Sequence, residues 1–509
     1  LNLFTLNEKQ QIAATERGRD VVVTAGAGSG KTSTLVARYT CLLSDGTKPR
    51  SIAAITFSIK AAQEMRSRVR SKLMELEEKS VDESERLHWS KLSSQIDSAR
   101  IGTIHSLCAE IIRNHPAEAG VDPRFDVIDD GLSKAIKAKV VEEEMARLVE
   151  EERFLPLLYN IPVANLTKLL AQMLERRLET QETFDLEIDN HSRLLDELRE
   201  RMNSPLITNP ISELREIDSR DLLEDAGAGF AEMVQNLLGC WSSAENALAE
   251  NDPFACAVHL YNARRNYMAM NVGKKTSYVK PIIAELRHFF AEIIDPLTGG
   301  EYSTDVPPTR EAEERFAEIL PLLRLAFDRV QQAYVDQLTL RQALDFDDLE
   351  FHAQQLLAVP EVRQRWREEL EVVMVDEYQD TNPRQRDIVN ALAGDRGCLF
   401  MVGDMRQSIY RFRRADVTVF REEQKRIDDE DGLVVDLDRT YRAHEELLNA
   451  TGNLLSHIIG TKEDPVKKYY VPYTPLVANF KEPKHPVRSP YVEYVLGAGE
   501  DTAAGRLQA

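Results

Sequence analysis

Short runs of apolar, mostly β-branched residues recur near both ends of the chain. They are Val21–Val23, Ile52–Phe57, Val372–Val375, Cys398–Val402 and Leu433–Leu437. Each run is bounded by polar residues or glycine, and most are followed by helical periodicity, as in "SIKAAQEMRSRVRSKLMELEE". Fully apolar strands that alternate with helices are typical of a parallel sheet covered on both faces. The pattern therefore predicts an α/β domain with functional loops at the carboxyl ends of its strands.

The middle of the chain follows a different pattern. From about residue 130 to residue 340, apolar positions recur with helical spacing, as in "LSKAIKAKVVEEEMARLVEEE". Such a stretch without apolar strand segments favours a group of packed helices. Because strand-rich sequence lies on both sides of it, we expect a large helical insertion that interrupts one α/β domain.

The distribution of charge changes what the composition implies about partners. With 85 acidic and 64 basic residues the chain has a net charge of −21, which taken alone disfavours a nucleic-acid partner. Residues 126–340, however, hold 39 acidic and 23 basic residues and account for −16 of that charge. The remainder is nearly balanced, so local basic grooves for nucleic acid are compatible with the composition.

Length and composition exclude several classes of protein. A chain of 509 residues, with 43% hydrophobic and 29% charged residues, is expected to fold into about two to four globular domains. No apolar run is long enough for a membrane span, and the N-terminus lacks a signal-peptide pattern. The five cysteines are scattered without a CxxC pair. We therefore expect no membrane association, no zinc or iron–sulfur centre, and a cytoplasmic location.

The segment "VVVTAGAGSGKTST" places a glycine-rich turn between a predicted strand and a predicted helix. Backbone N–H groups of such a turn wrap phosphate oxygens, aided by the positive end of the helix that follows. Lys31 would reach the β and γ phosphates of ATP, and the Thr32 hydroxyl would bind Mg²⁺. A tight turn without a ligand is the alternative, and Ala25 stands where the motif usually has glycine. The predicted nucleotide-binding residues here are Ala25, Gly26, Ala27, Gly28, Ser29, Gly30, Lys31, Thr32 and Ser33.

The segment "VVMVDEYQDTN", which begins at Val372, runs from four apolar residues straight into adjacent acids. Adjacent ionised carboxylates repel each other unless a cation or a proton transfer makes use of them. In a P-loop fold a second strand ends in an acid that holds Mg²⁺, which here would be Asp376 together with Thr32. Glu377 is then placed to orient and polarise the attacking water. A solvated loop is the simpler interpretation of the acids alone, but the glycine-rich turn gives them a function.

Further blocks, in order along the chain, resemble the UvrD/Rep-type superfamily 1 DNA helicases. "DEYQD" has the DExxD form of that family's second motif, and "LNEKQQIAA", "MVGDMRQSIYRFRRAD" and "LDRTYRA" resemble its Q, third and fourth motifs. The resemblance implies that Gln10 reads adenine and that Tyr441 stacks on it. It also implies that Gln407 senses the γ phosphate and that Arg442 reaches it. The predicted catalytic residues are accordingly Glu377, Lys31, Gln407 and Arg442.

The same resemblance assigns DNA contacts. "ITFSIKAAQEM" and "GTIHSLCAEIIRNHP" resemble the blocks that touch single-stranded DNA, and "LDFDDL" resembles a block that precedes DExxD. The aromatics and arginines of "YRFRRAD" are typical of surfaces that stack bases and neutralise phosphates, although a solvated helix face has the same composition. His105 fits a structural histidine as well, and Tyr378 fits core packing as well as function. The predicted DNA-binding residues are Thr56, Phe57, Lys60, Thr103, His105, Tyr410, Phe412 and Arg413.

"QSIYRFR" and the long insertion resemble the AddA and RecB motor proteins of helicase–nucleases more than UvrD itself. The resemblance implies a 3′–5′ DNA helicase or translocase that uses ATP and Mg²⁺, acts on single-stranded and double-stranded DNA in double-strand-break repair and recombination, and has an AddB- or RecC-like partner subunit. The implied fold is a RecA-like P-loop NTPase domain with a helical insertion and the start of a second RecA-like domain. The predicted domains are the first part of the motor domain (1–125), the insertion (126–340), the second part of the motor domain (341–430) and a partial second RecA-like domain (431–509).

The family's later motifs are not found after Arg442, so we expect the chain to stop inside the second motor domain. The alternative function is then a nucleotide- and single-strand-binding module without efficient turnover. A P-loop kinase or transporter ATPase is disfavoured by the "DEYQD" and "QSIYRFR" blocks.

Overall fold

A computed structural model of the chain describes residues 4–186, 189–217, 228–268, 279–298, 309–394, 397–411, 414–464, 467 and 469–483. The chain divides into two compact units. The first unit comprises Leu1–Asp130, Gln342–Asp464 and Lys468–Ala509, and the second comprises Gly131–Arg341 and Pro465–Lys467. Apart from the place of the strand Leu433–Leu437, the four-domain division proposed from the sequence stays a prediction.

The strands described in the structure all lie in the first unit. In chain order they are β1 (Val21–Ala25), β2 (Ile52–Thr56), β3 (Arg100–Thr103), β4 (Asp126–Val127), β5 (Ala343–Leu344), β6 (Val372–Val375), β7 (Leu399–Gly403), β8 (Leu433–Leu437), β9 (Arg439–His444) and β10 (Val477–Phe480).

Six of these strands form one parallel sheet in the order β3-β2-β6-β7-β1-β8. β4 pairs with β5, and β9 pairs with β10, in two smaller parallel sheets. Only β7 separates β1 from β6 in the large sheet, so the glycine-rich turn and the adjacent acids emerge at the same edge. The predicted parallel α/β fold is confirmed, with the RecA-type sheet expected of a P-loop domain.

The position of β8 corrects the prediction made for it. The sequence analysis assigned Leu433–Leu437 to the start of a second domain, but this strand pairs with β1 along its whole length, from Val21 opposite Leu433 to Ala25 opposite Leu437. Val435 and Leu437 are buried in the same core as β1. An apolar strand has the same sequence pattern whether it is the last strand of one sheet or the first strand of another. The pattern therefore predicts the strand but not the sheet to which it belongs.

The large sheet is buried on both faces. Val22 faces one hydrophobic cluster, and Val21 and Val23 face the other. Successive residues of a strand face opposite sides of the sheet, and here both sides are buried. The strands therefore appear in the sequence as continuous apolar runs. The α-helices of the first unit are Glu8–Thr15, Lys31–Ser44, Ile59–Lys79, Glu83–Gln95, Ile104–Asn114, Pro116–Ala119, Phe346–Ala358, Pro360–Glu369, Pro383–Ala393, Val417–Asp429 and Glu445–Ile459.

Side-chain caps set where several helices begin beside the sheet. Ser58 Oγ accepts from the N–H of Ala61 at 3.1 Å, and Thr103 Oγ1 accepts from the N–H of Ser106 at 3.3 Å. Asn382 forms a reciprocal capping box with the third residue of the helix that it precedes. Each cap satisfies backbone donors that would otherwise lack partners. The loops at the carboxyl edge are therefore held by their own polar residues.

The described part of the second unit is helical. Its α-helices are Asp130–Glu150, Leu155–Asn160, Val163–Glu175, Arg177–Asp185, Asn190–Met202, Pro205–Glu216, Ala228–Ala249, Pro253–Asn262, Val279–Phe289, Asp295–Thr298 and Arg310–Leu340, and Ala263–Met268 and Phe290–Ile294 are π-helical. Trp241, Leu260 and Phe290 are fully or almost fully buried in its core. Within the described ranges no single helix is both long enough and apolar enough to span a membrane. One pair of helices in those ranges, Glu152–Asn160 and Val163–Glu175, reaches that length and apolar character when the two are taken together, but they are bent by 95°.

Candidate functional site

The glycine-rich segment forms a left-handed turn that leads into a helix. Gly28 has a φ of +75° and Gly30 a φ of +93°, a region that favours glycine. A Cβ on Gly28 would lie 2.6 Å from the Cβ of Arg442, and a Cβ on Gly30 would collide with Nε2 of Gln10. Among the described residues no side chain caps the helix Lys31–Ser44, so its first N–H groups are available to an anion. The turn therefore has the backbone geometry of a phosphate-binding loop.

Lys31 and Glu377 meet at the carboxyl edge of the sheet. Nζ of Lys31 lies 2.5 Å from Oε2 of Glu377, and the two side chains are 13% and 34% exposed. Glu377 has a φ of +50°, and for a residue other than glycine that conformation costs about 1–3 kcal/mol. Such strain persists only where the surroundings enforce it, and it clusters at functional sites. The structure thus joins the residues predicted to bind phosphate and to activate water.

Asp376 lies at the end of β6, beside Glu377. Its Oδ1 accepts from the N–H of Glu377 at 3.0 Å, and its own N–H donates to the carbonyl of Ile55 at 2.9 Å. Burial raises the pKa of Asp376 to about 7; the charge of Glu377 adds to the rise and that of Lys31 opposes it. The carboxylate pair is therefore unfavourable at neutral pH in the absence of a cation.

A divalent cation fits this corner of the sheet. Carboxylate oxygens are the protein ligands that Mg²⁺ prefers, and a cation bound to Asp376 would offset the repulsion that raises its pKa. The buried hydroxyl of Ser29, in the turn itself, has no hydrogen-bond partner among the described residues. An unsatisfied buried hydroxyl beside a phosphate-binding turn agrees with a site that holds a polar ligand.

The third acid of the segment, Asp380, also lies close to Glu377. Burial raises the pKa of Asp380 to about 6, and the charge of Glu377 contributes to the rise. Tyr378, by contrast, is 0% exposed and its ring packs against Phe420 with centroids 5.6 Å apart. Of the two alternatives left open for Tyr378, the structure shows core packing.

Gln407 lies on a loop that a buried amide joins to the acidic segment. Nε2 of Gln407 donates to Oδ2 of Asp404 at 2.7 Å. The N–H of Asp404 donates to Oε1 of Gln379 at 2.9 Å, and Nε2 of Gln379 donates to Oε2 of Glu377 at 2.9 Å. The loop after β7 is thus joined through Gln379 to Glu377, the residue predicted to activate water. The role of Gln407 as a γ-phosphate sensor stays a prediction.

Gln10 and Tyr441 lie against the glycine-rich turn. Oε1 of Gln10 accepts from the N–H of Asn7 at 3.0 Å, and its Nε2 donates to the carbonyl of Ser29 at 2.9 Å. The N–H of Tyr441 donates to the carbonyl of Gly28 at 2.9 Å, and its hydroxyl accepts from Nδ2 of Asn7 at 3.1 Å. In this arrangement the Gln10 amide supports the turn, and adenine recognition by either residue stays a prediction.

Arg442 lies in β9, two residues after Thr440, which contacts the glycine-rich turn. Oγ1 of Thr440 donates to the carbonyl of Ala27 at 2.8 Å. Arg442 itself is exposed, and its Cβ lies close above Gly28. The structure therefore places Arg442 next to the predicted phosphate site, while its contact with the γ phosphate stays a prediction.

Phe57 and Tyr410 form an aromatic pair beyond the end of β2. Their ring centroids are 4.5 Å apart and their planes are tilted by 34°. Both residues are partly exposed, and Lys60, the second residue of the helix Ile59–Lys79, is exposed. Aromatic rings beside a cation provide a surface on which bases stack and phosphates are neutralised. The structure thus brings together two predicted DNA-binding residues, Phe57 and Tyr410, from segments far apart in the sequence, and Lys60 follows Phe57 by three residues.

The other predicted DNA-binding residues differ in their surroundings. Thr56 is 2% exposed and donates to the carbonyl of Ser58 at 3.0 Å. Thr103 caps its helix, and its Oγ1 lies 3.0 Å from Oγ of Ser106. Both side chains have structural partners, and their contact with DNA stays a prediction. Phe412 and Arg413 lie outside the described residues.

His105 is held by a buried carboxylate. Its Nε2 lies 3.1 Å from Oε1 of Glu350, and its ring stacks on Phe346 with centroids 4.3 Å apart. Glu350 is 4% exposed and also accepts from Asn382 at 3.1 Å and Gln385 at 2.6 Å. Burial alone would raise the pKa of Glu350, but the hydrogen bonds and charge of its partners, His105 first, outweigh burial and lower it. His105 thus has a structural partner and stays partly exposed, so both of its predicted roles remain open.

No functional or structural role was predicted from the sequence for Glu350, Gln379 or Thr440. Each acts through a hydrogen bond to a residue that is distant along the chain, and such a bond leaves no local pattern. A signal existed for Glu350 alone, because it stands on the buried face of its helix, between Leu349 and Ala353. A charged residue at a buried helical position predicts a polar partner.

Known proteins are similar to this chain over most of its length. The family model of the UvrD/REP helicase N-terminal domain matches residues 6–251 and 310–428. The chain is 28% identical over 485 residues to the AddA component of the ATP-dependent helicase/nuclease of Alkaliphilus oremlandii, a match that covers 89% of this chain and 39% of that protein. Proteins of the same name from Syntrophomonas wolfei and Staphylococcus aureus are 27% and 26% identical, over 90% and 95% of this chain and 38% and 42% of theirs. The chain thus spans about two fifths of the length of these curated relatives. Because the family model matches well over half of its residues, the chain belongs to the UvrD/REP helicase family.

Proposed function

We propose that this chain binds ATP–Mg²⁺ and single-stranded DNA and forms the first part of the motor of a 3′–5′ DNA helicase or translocase. The observation that carries the proposal is the contact between Nζ of Lys31 and Oε2 of Glu377, 2.5 Å apart at the carboxyl edge of the sheet. A phosphate-binding lysine and a carboxylate able to activate water meet there, as phosphoryl transfer to water requires. A role in double-strand-break repair and recombination is part of the proposal and rests on the resemblance to AddA and RecB.

In this proposal the N–H groups of the turn and Lys31 hold the phosphates of ATP. Asp376 and the hydroxyl of Thr32 hold Mg²⁺, which when bound supplies positive charge to the phosphoryl group. Glu377 accepts a hydrogen bond from the attacking water and takes its proton. Lys31 has to exchange Glu377 for phosphate oxygens, and that exchange frees the carboxylate for water. The ion pair is therefore the resting state of two groups that separate when ATP binds.

The remaining predicted nucleotide contacts surround the turn. Tyr441 would stack on adenine and Gln10 would read its edge, while Gln10 also supports the turn through Ser29. Gln407 and Arg442 would approach the γ phosphate from the loop after β7 and from β9. Positive charge aimed at the γ phosphate is the largest contribution that Arg442 could make.

Single-stranded DNA is proposed to cross the aromatic pair. Bases would stack on Phe57 and Tyr410, and Lys60 would contact a phosphate. His105, which is partly exposed, would lie along the same strand-end surface. Because stacking tolerates every base, the contact would show little sequence preference.

The partner and the location are proposed on separate grounds. The relatives are named as components of a multi-protein helicase/nuclease, and we propose an AddB- or RecC-like partner that helps to deliver double-stranded DNA. All five cysteines of the chain lie in described residues and none is in a disulfide. Free thiols agree with a reducing compartment, and we propose the cytoplasm.

A nucleotide- and single-strand-binding module without efficient turnover is the second candidate. The observation that favours it is the position of Arg442, which is exposed on β9, a strand that pairs only with β10 among the described strands. A cation that is not held in place contributes little, because electrostatic catalysis depends on preorganisation. Both candidates bind the same ligands, and only the rate of hydrolysis separates them.

Substitution of Lys31 tests the proposed phosphate site. Lys31→Ala should weaken the binding of ATP–Mg²⁺ by about tenfold or more, because it removes a charge-assisted contact. The affinity is measured by titration with a fluorescent ATP analogue. Lys91→Ala, an exposed lysine on the helix Glu83–Gln95, is the matched control and should bind like the wild type. Equal affinity of Lys31→Ala and the control would contradict the proposal.

A further inference from the structure

Gln379 is a buried amide that hydrogen-bonds in two directions. Gln379 is only 1% exposed. Nε2 donates to Oε2 of Glu377 at 2.9 Å, and Oε1 accepts from the N–H of Asp404 at 2.9 Å. The carbonyl of Gln379 accepts from Oγ of Ser408 at 3.1 Å. Gln379 therefore joins the acidic segment to both ends of the loop between Asp404 and Ser408.

On the nucleotide side, Gln379 shares its acceptor with Lys31. Both Nζ of Lys31 and Nε2 of Gln379 contact Oε2 of Glu377. When Lys31 leaves for phosphate oxygens, Gln379 is the remaining side-chain partner of that carboxylate among the described residues. The position of the amide then determines where Glu377 points and how readily it releases Lys31.

On the DNA side, the loop leads directly to the aromatic pair. Tyr410 lies two residues after Ser408 and stacks on Phe57 at 4.5 Å. Gly403, at the end of β7, keeps space for the amide, since a Cβ there would lie 2.6 Å from Oε1 of Gln379. A short loop that is hydrogen-bonded to Gln379 therefore separates the amide from Tyr410.

We propose that Gln379 is a positioning residue that couples the occupancy of the aromatic pair by single-stranded DNA to the orientation of Glu377. The inference rests on the proposed function and names the regulation of the same site. A base stacked on Tyr410 shifts the loop, and the amide follows because a buried polar group without its partners is unfavourable. Glu377 moves with the amide and releases Lys31 to the phosphates. Because coupling between binding sites is reciprocal, DNA and nucleotide each raise the affinity for the other by the same factor.

The coupling factor tests this role directly. It is the ratio of the Kd values for a non-hydrolysable ATP analogue with Mg²⁺, measured without and with a saturating thymidine oligonucleotide. We expect a factor of about five or more in the wild type. In Gln379→Met, which fills similar space without an amide, the factor should fall to about one, while the oligonucleotide alone should bind as it does to the wild type. A merely structural defect would instead weaken both affinities.

Two further variants keep the test decisive. Ser408→Ala removes only the hydrogen bond to the Gln379 carbonyl and should lower the factor partway, even if Gln379→Met fails to fold. Gln364→Met makes the same chemical change at an exposed position of the helix Pro360–Glu369 and should keep the wild-type factor. If the wild type binds both ligands with a factor of one, or if the Gln379 and Ser408 variants keep its factor, the coupling role is overturned. If the wild type fails to bind either ligand, the proposed function is wrong.

Discussion

The carboxyl groups of Asp376 and Glu377 lie side by side at the end of β6, and burial raises the pKa of Asp376. The pKa of Asp376 rises from 3.8 to about 7. Between these two pH values the folded, metal-free protein binds more protons at this site than the unfolded chain does. The free energy of unfolding therefore falls as pH rises through that window, and it levels off above about pH 7.

Asp376→Asn should remove this dependence. Asparagine keeps the oxygen that accepts from the Glu377 N–H but carries no charge to desolvate. We expect the variant to be more stable than the wild type by about 2–4 kcal/mol at pH 8 in the absence of Mg²⁺, and by much less near pH 4. Urea unfolding at several pH values measures the difference. Asp429→Asn, an exposed acid, is the control, and an Asp376→Asn curve parallel to the control would contradict the account.

Single residues also show what the sequence could reveal about the site. Lys31 and Glu377 were predicted to belong to one nucleotide site, because both lie in motifs with a fixed place in a P-loop fold, but their direct ion pair was not predicted. The hydrogen bond between Gln379 and the N–H of Asp404 was not predicted. Every residue except proline has a backbone N–H, so the sequence does not show which one a side chain will bind. Adenine recognition by Gln10 stays a prediction, but the bond from its amide to the carbonyl of Ser29 was not predicted, because no rule of sequence distinguishes a ligand from a nearby carbonyl.

At the scale of elements, the loops after β2 and β7 create the aromatic pair. Tyr410→Ala should weaken the binding of single-stranded DNA by about 1–3 kcal/mol, because a stacked base loses its platform. Fluorescence anisotropy of a labelled oligonucleotide measures the affinity. Tyr159→Ala removes a tyrosine that is 85% exposed in the second unit and should leave the affinity unchanged. If the two variants bind alike, the Tyr410 ring is not a DNA contact.

The elements differ in how far the sequence predicts them. β1, β2, β6 and β7 were predicted because nearly all of their residues are apolar and buried. β3 was not predicted as an apolar run, since Ile101 is its one buried residue and the strand lies at the edge of the sheet. β8 was recognised as a strand but assigned to the wrong sheet, because strand pairing over 400 residues leaves no local signal.

At the scale of the whole molecule, the candidate nucleotide and DNA residues that the structure describes all lie in the first unit. The acidic charge lies elsewhere, because residues 126–340 account for −16 of the net −21. The net charge of the whole chain therefore does not describe the charge around the candidate DNA residues, and it is compatible with a local site for single-stranded DNA.

Single-turnover hydrolysis of bound ATP–Mg²⁺ in the presence of single-stranded DNA tests whether Glu377 activates water at an ATP site of this chain. A single turnover detects even slow chemistry, so it also separates the motor from a binding module. The account predicts measurable hydrolysis by the wild type. It predicts that the rate falls by about 100-fold or more in Glu377→Gln, with nucleotide affinity retained. Hydrolysis by Glu377→Gln at the wild-type rate would contradict it.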